Sequence, residues 1–157
     1  MADSGLKARI RADLTAAMKA RDAAVTGTLR MVLAAITTAE VAGATAKELS
    51  DDEVVAVLGK EVKKRNESVE IYRSASRDEL ADKEAAEAAI IEQYLPAQLT
   101  DDDLAAIVAS EIAAMTSSSG EAPTMKQMGL VIKAVKERAG AQADGSRVAA
   151  AVKAALA

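Results

Sequence analysis

The sequence contains no cysteine, histidine, phenylalanine or tryptophan, and these absences exclude several kinds of site. Without cysteine there is no disulfide, no thiolate nucleophile and no zinc–thiolate centre. Without histidine there is no Ser–His pair, no imidazole base for neutral pH and no histidine-bound metal. Only Tyr72 and Tyr94 are aromatic, which argues against an RNA-binding platform of stacked rings. We therefore expect neither a metal nor a cofactor.

Long hydrophobic runs are also missing from the chain. No stretch approaches roughly 18 apolar residues, the length that a membrane-spanning helix requires. The first ten residues, MADSGLKARI, lack the apolar region of a signal peptide. We expect a cytoplasmic protein that does not bind membranes.

What the sequence does contain is alanine and helical periodicity. Half of the 157 residues are apolar, and many of these are alanine, the best helix former. Larger apolar residues recur every three or four positions, which is typical of amphipathic helices. The pattern predicts an all-α, multihelical fold. We expect a long helical N-terminal subdomain over residues 1–96 and a small three-helix C-terminal bundle over residues 97–157.

Local signals predict where several helices begin and end. Ser50 with Glu53, and Ser76 with Glu79, match the capping box, in which each residue's side chain bonds the other's backbone amide. Residues 116–123 are predicted to be a loop, because Ser, Gly and Pro cluster there. The remaining signals are helix caps at Thr100, Thr124 and Asp144 and helix ends at Pro96 and Gly140.

Three single residues carry further expectations. Gly27 lies inside the second predicted helix, at a cost of about 1 kcal/mol relative to alanine, and is expected to allow close helix contact. Arg65 occupies a position that the periodicity assigns to an apolar residue, which indicates either that it crosses between helices or that it snorkels, with its stem buried and its charge in water. Tyr94, just before Leu95-Pro96, is predicted to be a structural anchor with its hydroxyl bonded at the subdomain joint.

The net charge of −4 does not attract nucleic acid, but two segments are locally basic. Residues 60–77 hold six basic and three acidic residues, and residues 125–157 hold six and two. Such helix faces could contact RNA phosphates and recognise shape rather than sequence. The simpler interpretation is a solvated face with ion pairs such as Lys63–Glu67. The candidate contacts are Lys60, Lys63, Lys64, Arg65, Lys126, Lys133, Lys136 and Arg147.

No catalytic arrangement is evident in the sequence. An enzyme would have to use carboxylates such as Glu61 and Glu92 with Lys64 or Tyr94, but side chains of these types more often make surface ion pairs. The acidic run at residues 101–103 lacks the glycine and the distal glutamate of a calcium loop. We predict no catalytic residue.

Four segments carry a family resemblance: residues 29–36 (LRMVLAAI), 61–68 (EVKKRNES) with Tyr72, 92–99 (EQYLPAQL), and 128–132 (MGLVI) with Gly140 and 143–145 (ADG). In order and spacing they resemble the YqeY family. Its domain is shared with the C-terminal tail of GatB, a subunit of the tRNA-dependent amidotransferase that converts mischarged Glu-tRNA or Asp-tRNA. The resemblance covers almost the entire chain and implies a multihelical fold in two subdomains.

The resemblance also implies a link to tRNA-dependent amidation, because the GatB tail helps to recognise tRNA. At family level the activity is that of a carbon–nitrogen ligase with glutamine as amido-nitrogen donor. This chain has no glycine-rich phosphate loop, so the resemblance confers no catalysis on it. It implies an accessory tRNA-binding module that works with an amidotransferase or tRNA-synthetase-type partner. The alternative is a protein–protein adaptor or homo-oligomeric helical module that does not bind RNA.

Overall fold

A computed structural model describes residues 5–157, and in that range the protein forms helices and no strand, which confirms the all-α, multihelical prediction. Ser4, the predicted start of the first helix, lies outside the described residues. Short 3-10 turns at Met125–Gln127 and Gly140–Gln142 flank the sixth helix. The α-helices are α1 (Leu6–Ala20), α2 (Ala23–Glu40), α3 (Asp51–Ser74), α4 (Asp78–Glu92), α5 (Asp101–Ser119), α6 (Met128–Ala139) and α7 (Gly145–Leu156).

The chain divides into two compact units, one ending at Leu95 and the other beginning at Pro96. The N-terminal unit contains α1–α4, and the C-terminal unit contains α5–α7. Each unit buries its own apolar cluster. None of the helices between residues 5 and 157 is long and apolar enough to cross a lipid bilayer.

In the N-terminal unit, α1 and α2 form an antiparallel hairpin. Arg21 adopts a left-handed conformation (φ 56°) in the short joint between them. The Lys7 ammonium near the start of α1 bonds Glu40 at the end of α2 over 2.6 Å. The main apolar cluster of this unit consists of Ile10, Leu29, Val32, Ile36, Val54, Leu58, Val62, Ala88 and Ile91.

Helix α3 begins as the sequence predicts, but α4 does not. The Glu53 carboxylate accepts a bond from the Ser50 amide, and the Ser50 hydroxyl oxygen accepts one from the Glu53 amide. The predicted box at Ser76 is wrong: Arg77 precedes α4 and no side chain caps it. Ser76 is instead the left-handed residue (φ 56°) that ends α3, and the Arg77 amide bonds back to the carbonyl of Tyr72.

The predicted close helix contact at Gly27 is also wrong. Gly27 lies on the exposed face of α2, and a Cβ atom built there would meet nothing within 4 Å. Close packing occurs elsewhere, where α4 buries Ala81 and Ala88 in the N-terminal unit. Alanine at these positions leaves little side chain between the helices.

In the C-terminal unit, α5 is longer than predicted. The predicted loop at residues 116–123 is wrong in its first half, because α5 continues to Ser119 and ends at Gly120 (φ 82°). The hydroxyls of Thr116 and Ser119 donate to carbonyls four residues earlier, which satisfies these polar side chains within the helix. The caps at Thr100 and Asp144 are confirmed.

The core of the C-terminal unit is thin and is dominated by valine. Ala139 and Ala143 help to fill it near the end of α6. Gly140 ends α6 as predicted, with φ 54°. The other buried residues are Leu104, Val108, Val131, Val135, Val148 and Val152.

Candidate nucleic-acid interface

Three of the candidate lysines lie on the outer face of α3. Lys60, Lys63 and Lys64 are spaced three and four residues apart, so they share one side of the helix, and all three are exposed. Within residues 5–157 none of them pairs with a carboxylate, and the expected Lys63–Glu67 ion pair does not form. Their ammonium groups are therefore available to an external anion.

Arg65 lies on the opposite side of α3 and is withdrawn from this surface. Its side chain is 6% exposed. The Nη1 atom donates to the Glu61 carboxylate over 2.7 Å, and Nε donates to the Glu87 carboxylate of α4 over 3.2 Å. Nη2 approaches the Met31 sulfur of α2 at 4.0 Å. Arg65 thus connects three helices, which is the first of the two roles that its position indicated, and its guanidinium is not available to phosphates.

The lysines of the C-terminal unit lie on and before α6. Lys126 is in the 3-10 turn, Lys133 and Lys136 are in α6, and all three are exposed. Among the residues that the structure describes, none of the three pairs with a carboxylate. The Lys136 ammonium lies against Gly145 at the start of α7, since a Cβ atom there would approach Nζ to 3.2 Å. Lys126 and Lys133 are the more open pair.

Arg147 has a structural role inside the C-terminal unit. Its Nη2 atom donates to the Leu99 carbonyl over 2.8 Å and to the Asp101 carboxylate over 2.9 Å. These bonds hold the start of α7 against the start of α5. The structure thus leaves Lys60, Lys63, Lys64, Lys126, Lys133 and Lys136 as the accessible part of the predicted site.

Two neighbouring residues of α6 were missed by the sequence analysis. Leu130 is 63% exposed, although it stands in an apolar run with Val131 and Ile132. Gly129 is also exposed, and a Cβ atom built on it would meet nothing within 4 Å. A sequence signal was available, because Leu130 is three residues before Lys133 and therefore lies on the same side of the helix as that lysine.

Tyr94 is a structural anchor rather than part of this interface. Its hydroxyl donates to the Asp13 carboxylate over 2.6 Å, and the Arg9 guanidinium lies 5.1 Å from the ring centroid. Burial of the phenol, the hydrogen bond to Asp13 and the negative charge of that carboxylate raise the pKa of Tyr94 above its ordinary value of 10.0. The predicted hydroxyl bond is confirmed, and its acceptor lies in α1.

This contact makes the stability of the N-terminal unit dependent on pH. Because the folded pKa of Tyr94 is raised, the neutral phenol stabilises the fold below pH 10.0, and this contribution is lost as the pH rises above that value. Tyr94→Phe should cost about 1 kcal/mol at pH 8. Urea unfolding at a series of pH values should show the wild-type and variant curves converging above about pH 10. A constant difference across that range would contradict the assignment.

Two of the side chains considered for catalysis are bonded to different partners. Glu61 binds Arg65, and Tyr94 binds Asp13. In the acidic run, Asp103 accepts bonds from Thr100 and Asp101 pairs with Arg147. No group of three or more acidic side chains in residues 5–157 is placed to hold a metal ion.

Comparison with known proteins places the chain in a family. The family model described as "Yqey-like protein" matches residues 7–156. An uncharacterized protein of Schizosaccharomyces pombe is 38% identical over 92 residues, which cover 58% of this chain and 72% of that one. "Altered inheritance of mitochondria protein 41, mitochondrial" of Meyerozyma guilliermondii is 34% identical over 135 residues, covering 82% of this chain and 67% of the relative. The chain belongs to the YqeY family.

Proposed function

We propose that the protein is an accessory RNA-binding module whose ligand is tRNA and that it has no catalytic role of its own. The observation that carries this proposal is the set of lysines on α3, on α6 and in the turn before α6 that are exposed and, within residues 5–157, pair with no carboxylate. Two of these lysines, Lys63 and Lys133, have a glutamate four residues later (Glu67 and Glu137), a spacing at which a solvated helix face is expected to form ion pairs. Neither ion pair forms in the part of the chain that the structure describes.

The chemistry of the two faces suits a phosphate backbone. Lysines on one helix face place their ammonium groups in a row, and the rise from Lys60 to Lys64 is about 6 Å. Flexible ammonium groups contact phosphates without reading bases, so they would recognise the shape of a folded RNA. The scarcity of aromatic residues also fits recognition through the backbone.

A place in tRNA-dependent amidation follows from the resemblance to the GatB tail. In that setting the module would hold tRNA for a glutamine-dependent amidotransferase or for a tRNA-synthetase-type partner. The carbon–nitrogen ligase chemistry would belong to that partner. The name of the Meyerozyma guilliermondii relative concerns mitochondria and their inheritance and specifies no molecular ligand.

Direct binding of tRNA tests the proposal. Affinity should be measured by mobility shift and by fluorescence anisotropy at roughly 50 and 200 mM salt. If four phosphates are contacted, the Kd should rise about 50- to 150-fold across that interval. Failure of the wild-type protein to bind tRNA at the lower salt concentration would reject the function. An affinity that does not change with salt would reject contact through phosphates.

One observation favours the adaptor alternative. Ile71 is 67% exposed near the end of α3, and an exposed isoleucine suits a protein partner better than an RNA backbone. Size-exclusion chromatography with light scattering distinguishes the alternatives. Self-association that Ile71→Lys abolishes, with no affinity for tRNA, would support a homo-oligomeric module.

A further inference from the structure

The outer face of α6 combines positive charge with an apolar surface. Leu130 and Lys133 are three residues apart on the solvent side of α6, and Lys126 is exposed in the 3-10 turn that leads into the helix. Leu130 therefore stands between two lysines, and it is 63% exposed. Leu130 does not belong to the apolar cluster of the C-terminal unit.

Gly129 lies beside Leu130 and is not explained by the fold. Glycine inside a helix is unfavourable relative to alanine because it loses more backbone freedom. Gly129 has ordinary helical geometry, since the positive-φ glycines are Gly120 and Gly140. A Cβ atom at Gly129 would meet nothing within 4 Å, so no neighbouring atom in residues 5–157 requires a glycine at this position. A glycine of this kind is useful where an external ligand comes close to the backbone.

We propose that Gly129 and Leu130 form a small apolar platform for an unpaired nucleobase of the RNA ligand, with the adjoining phosphates held by Lys126 and Lys133. This inference rests on the proposed function and names the kind of RNA that the site takes. Gly129 allows the flat base to approach the helix backbone, and Leu130 covers its face.

The chemistry favours an RNA with unpaired nucleotides over a plain duplex. In an A-form duplex the base faces are stacked away, and an approaching helix meets phosphates and 2′-hydroxyls. Leu130 would then lie against a charged backbone without burying apolar area. An unstacked base offers an apolar face with phosphates beside it, which matches a leucine between two lysines.

Two RNAs with the same number of phosphates provide the first test. One is a stem with an unpaired loop, and the other is a fully paired duplex. The wild-type protein should bind the loop RNA about fivefold to tenfold more tightly. Leu130→Ser should remove this preference, whereas Lys133→Gln should weaken binding to both RNAs by a similar factor. Circular dichroism checks that each variant is helical.

Gly129→Ala provides the second test, because its effects on folding and binding should be opposite. The variant should raise the midpoint of thermal unfolding, and it should weaken binding of the loop RNA about fivefold, because the added methyl group holds the base away. The matched control is Gly27→Ala on α2, which is equally open. It should raise the midpoint and leave RNA affinity unchanged.

The outcomes separate this inference from the proposed function. Equal affinity for both RNAs, reduced by Lys133→Gln and unaffected by Gly129→Ala, would overturn the platform and leave RNA binding intact. No affinity of the wild-type protein for either RNA would overturn both. Binding of an acidic amphipathic helix that Leu130→Ser abolishes, without discrimination between the RNAs, would assign the patch to a protein partner and overturn the platform.

Discussion

Arg65→Ala is expected to destabilise the N-terminal unit by about 3 kcal/mol, because it leaves two carboxylates without their shared cation. The guanidinium is almost fully buried and donates to Glu61 and to Glu87. Both carboxylates are less than one-fifth exposed, at 19% and 16% of their side-chain areas. Water can therefore replace the lost bonds only in part, which places the cost at the lower end of the range for broken buried pairs.

Matched variants distinguish the charge from the packing. Arg73→Ala removes an exposed arginine of the same helix and should change the free energy of unfolding by less than about 0.5 kcal/mol. Combining Arg65→Met with Glu61→Gln and Glu87→Gln should be less damaging than Arg65→Ala alone, since no unpaired charge remains. Urea unfolding followed by circular dichroism measures all three. An Arg65→Ala protein as stable as Arg73→Ala would contradict the role assigned to the guanidinium.

The cluster of Arg65, Glu61 and Glu87 also leads to an expected result for tRNA binding. Because Arg65 does not reach the outer face of α3, the triple variant should bind tRNA as the wild-type protein does wherever it is folded. A loss of tRNA affinity as large as that of a lysine variant would show that Arg65 contributes to the RNA interface. The stability result and the binding result are therefore independent of each other.

Helix starts were predictable where all the partners are close in sequence. Ser50 and Thr100 each bond a residue three positions later, so the pattern alone contains the contact. The same pattern was misleading at Ser76. The backbone of that residue takes part in the turn that ends α3, so Ser76 does not cap the start of α4. The extension of α5 through Ser119 was missed because low helix propensity at serine was offset by hydroxyl bonds to the preceding turn.

The candidate site was predictable in composition and only partly in geometry. Exposure of the lysines followed from their spacing opposite the apolar stripe. The roles of Arg65 and Arg147 depend on Glu87 and Asp101, which lie 22 and 46 residues away in sequence, so no local pattern contains them. Leu130 was missed although its position three residues before Lys133 indicated the lysine side of the helix; it stands in an apolar run, and the structure shows that it is 63% exposed.

The second large effect is expected from the open lysine pair of the C-terminal unit. Each phosphate contact contributes a factor of about 5 to 8 to the affinity at 0.1 M salt, through release of counterions. The double variant Lys126→Gln with Lys133→Gln should therefore weaken tRNA binding by about 25- to 60-fold at that salt concentration. The slope of log affinity against log salt should fall by about 1.4 to 1.8.

The control must change the net charge equally at exposed lysines outside both faces. Lys83→Gln with Lys153→Gln meets this condition, because both residues are exposed and neither belongs to the proposed contacts. If tRNA responded only to overall charge, the two double variants would lose affinity alike. A loss confined to the Lys126 and Lys133 variant, together with its smaller salt slope, would locate the phosphates on α6. Equal losses of tRNA affinity in the two double variants would contradict an interface at Lys126 and Lys133. The lysines of α3 would then be the next surface to test.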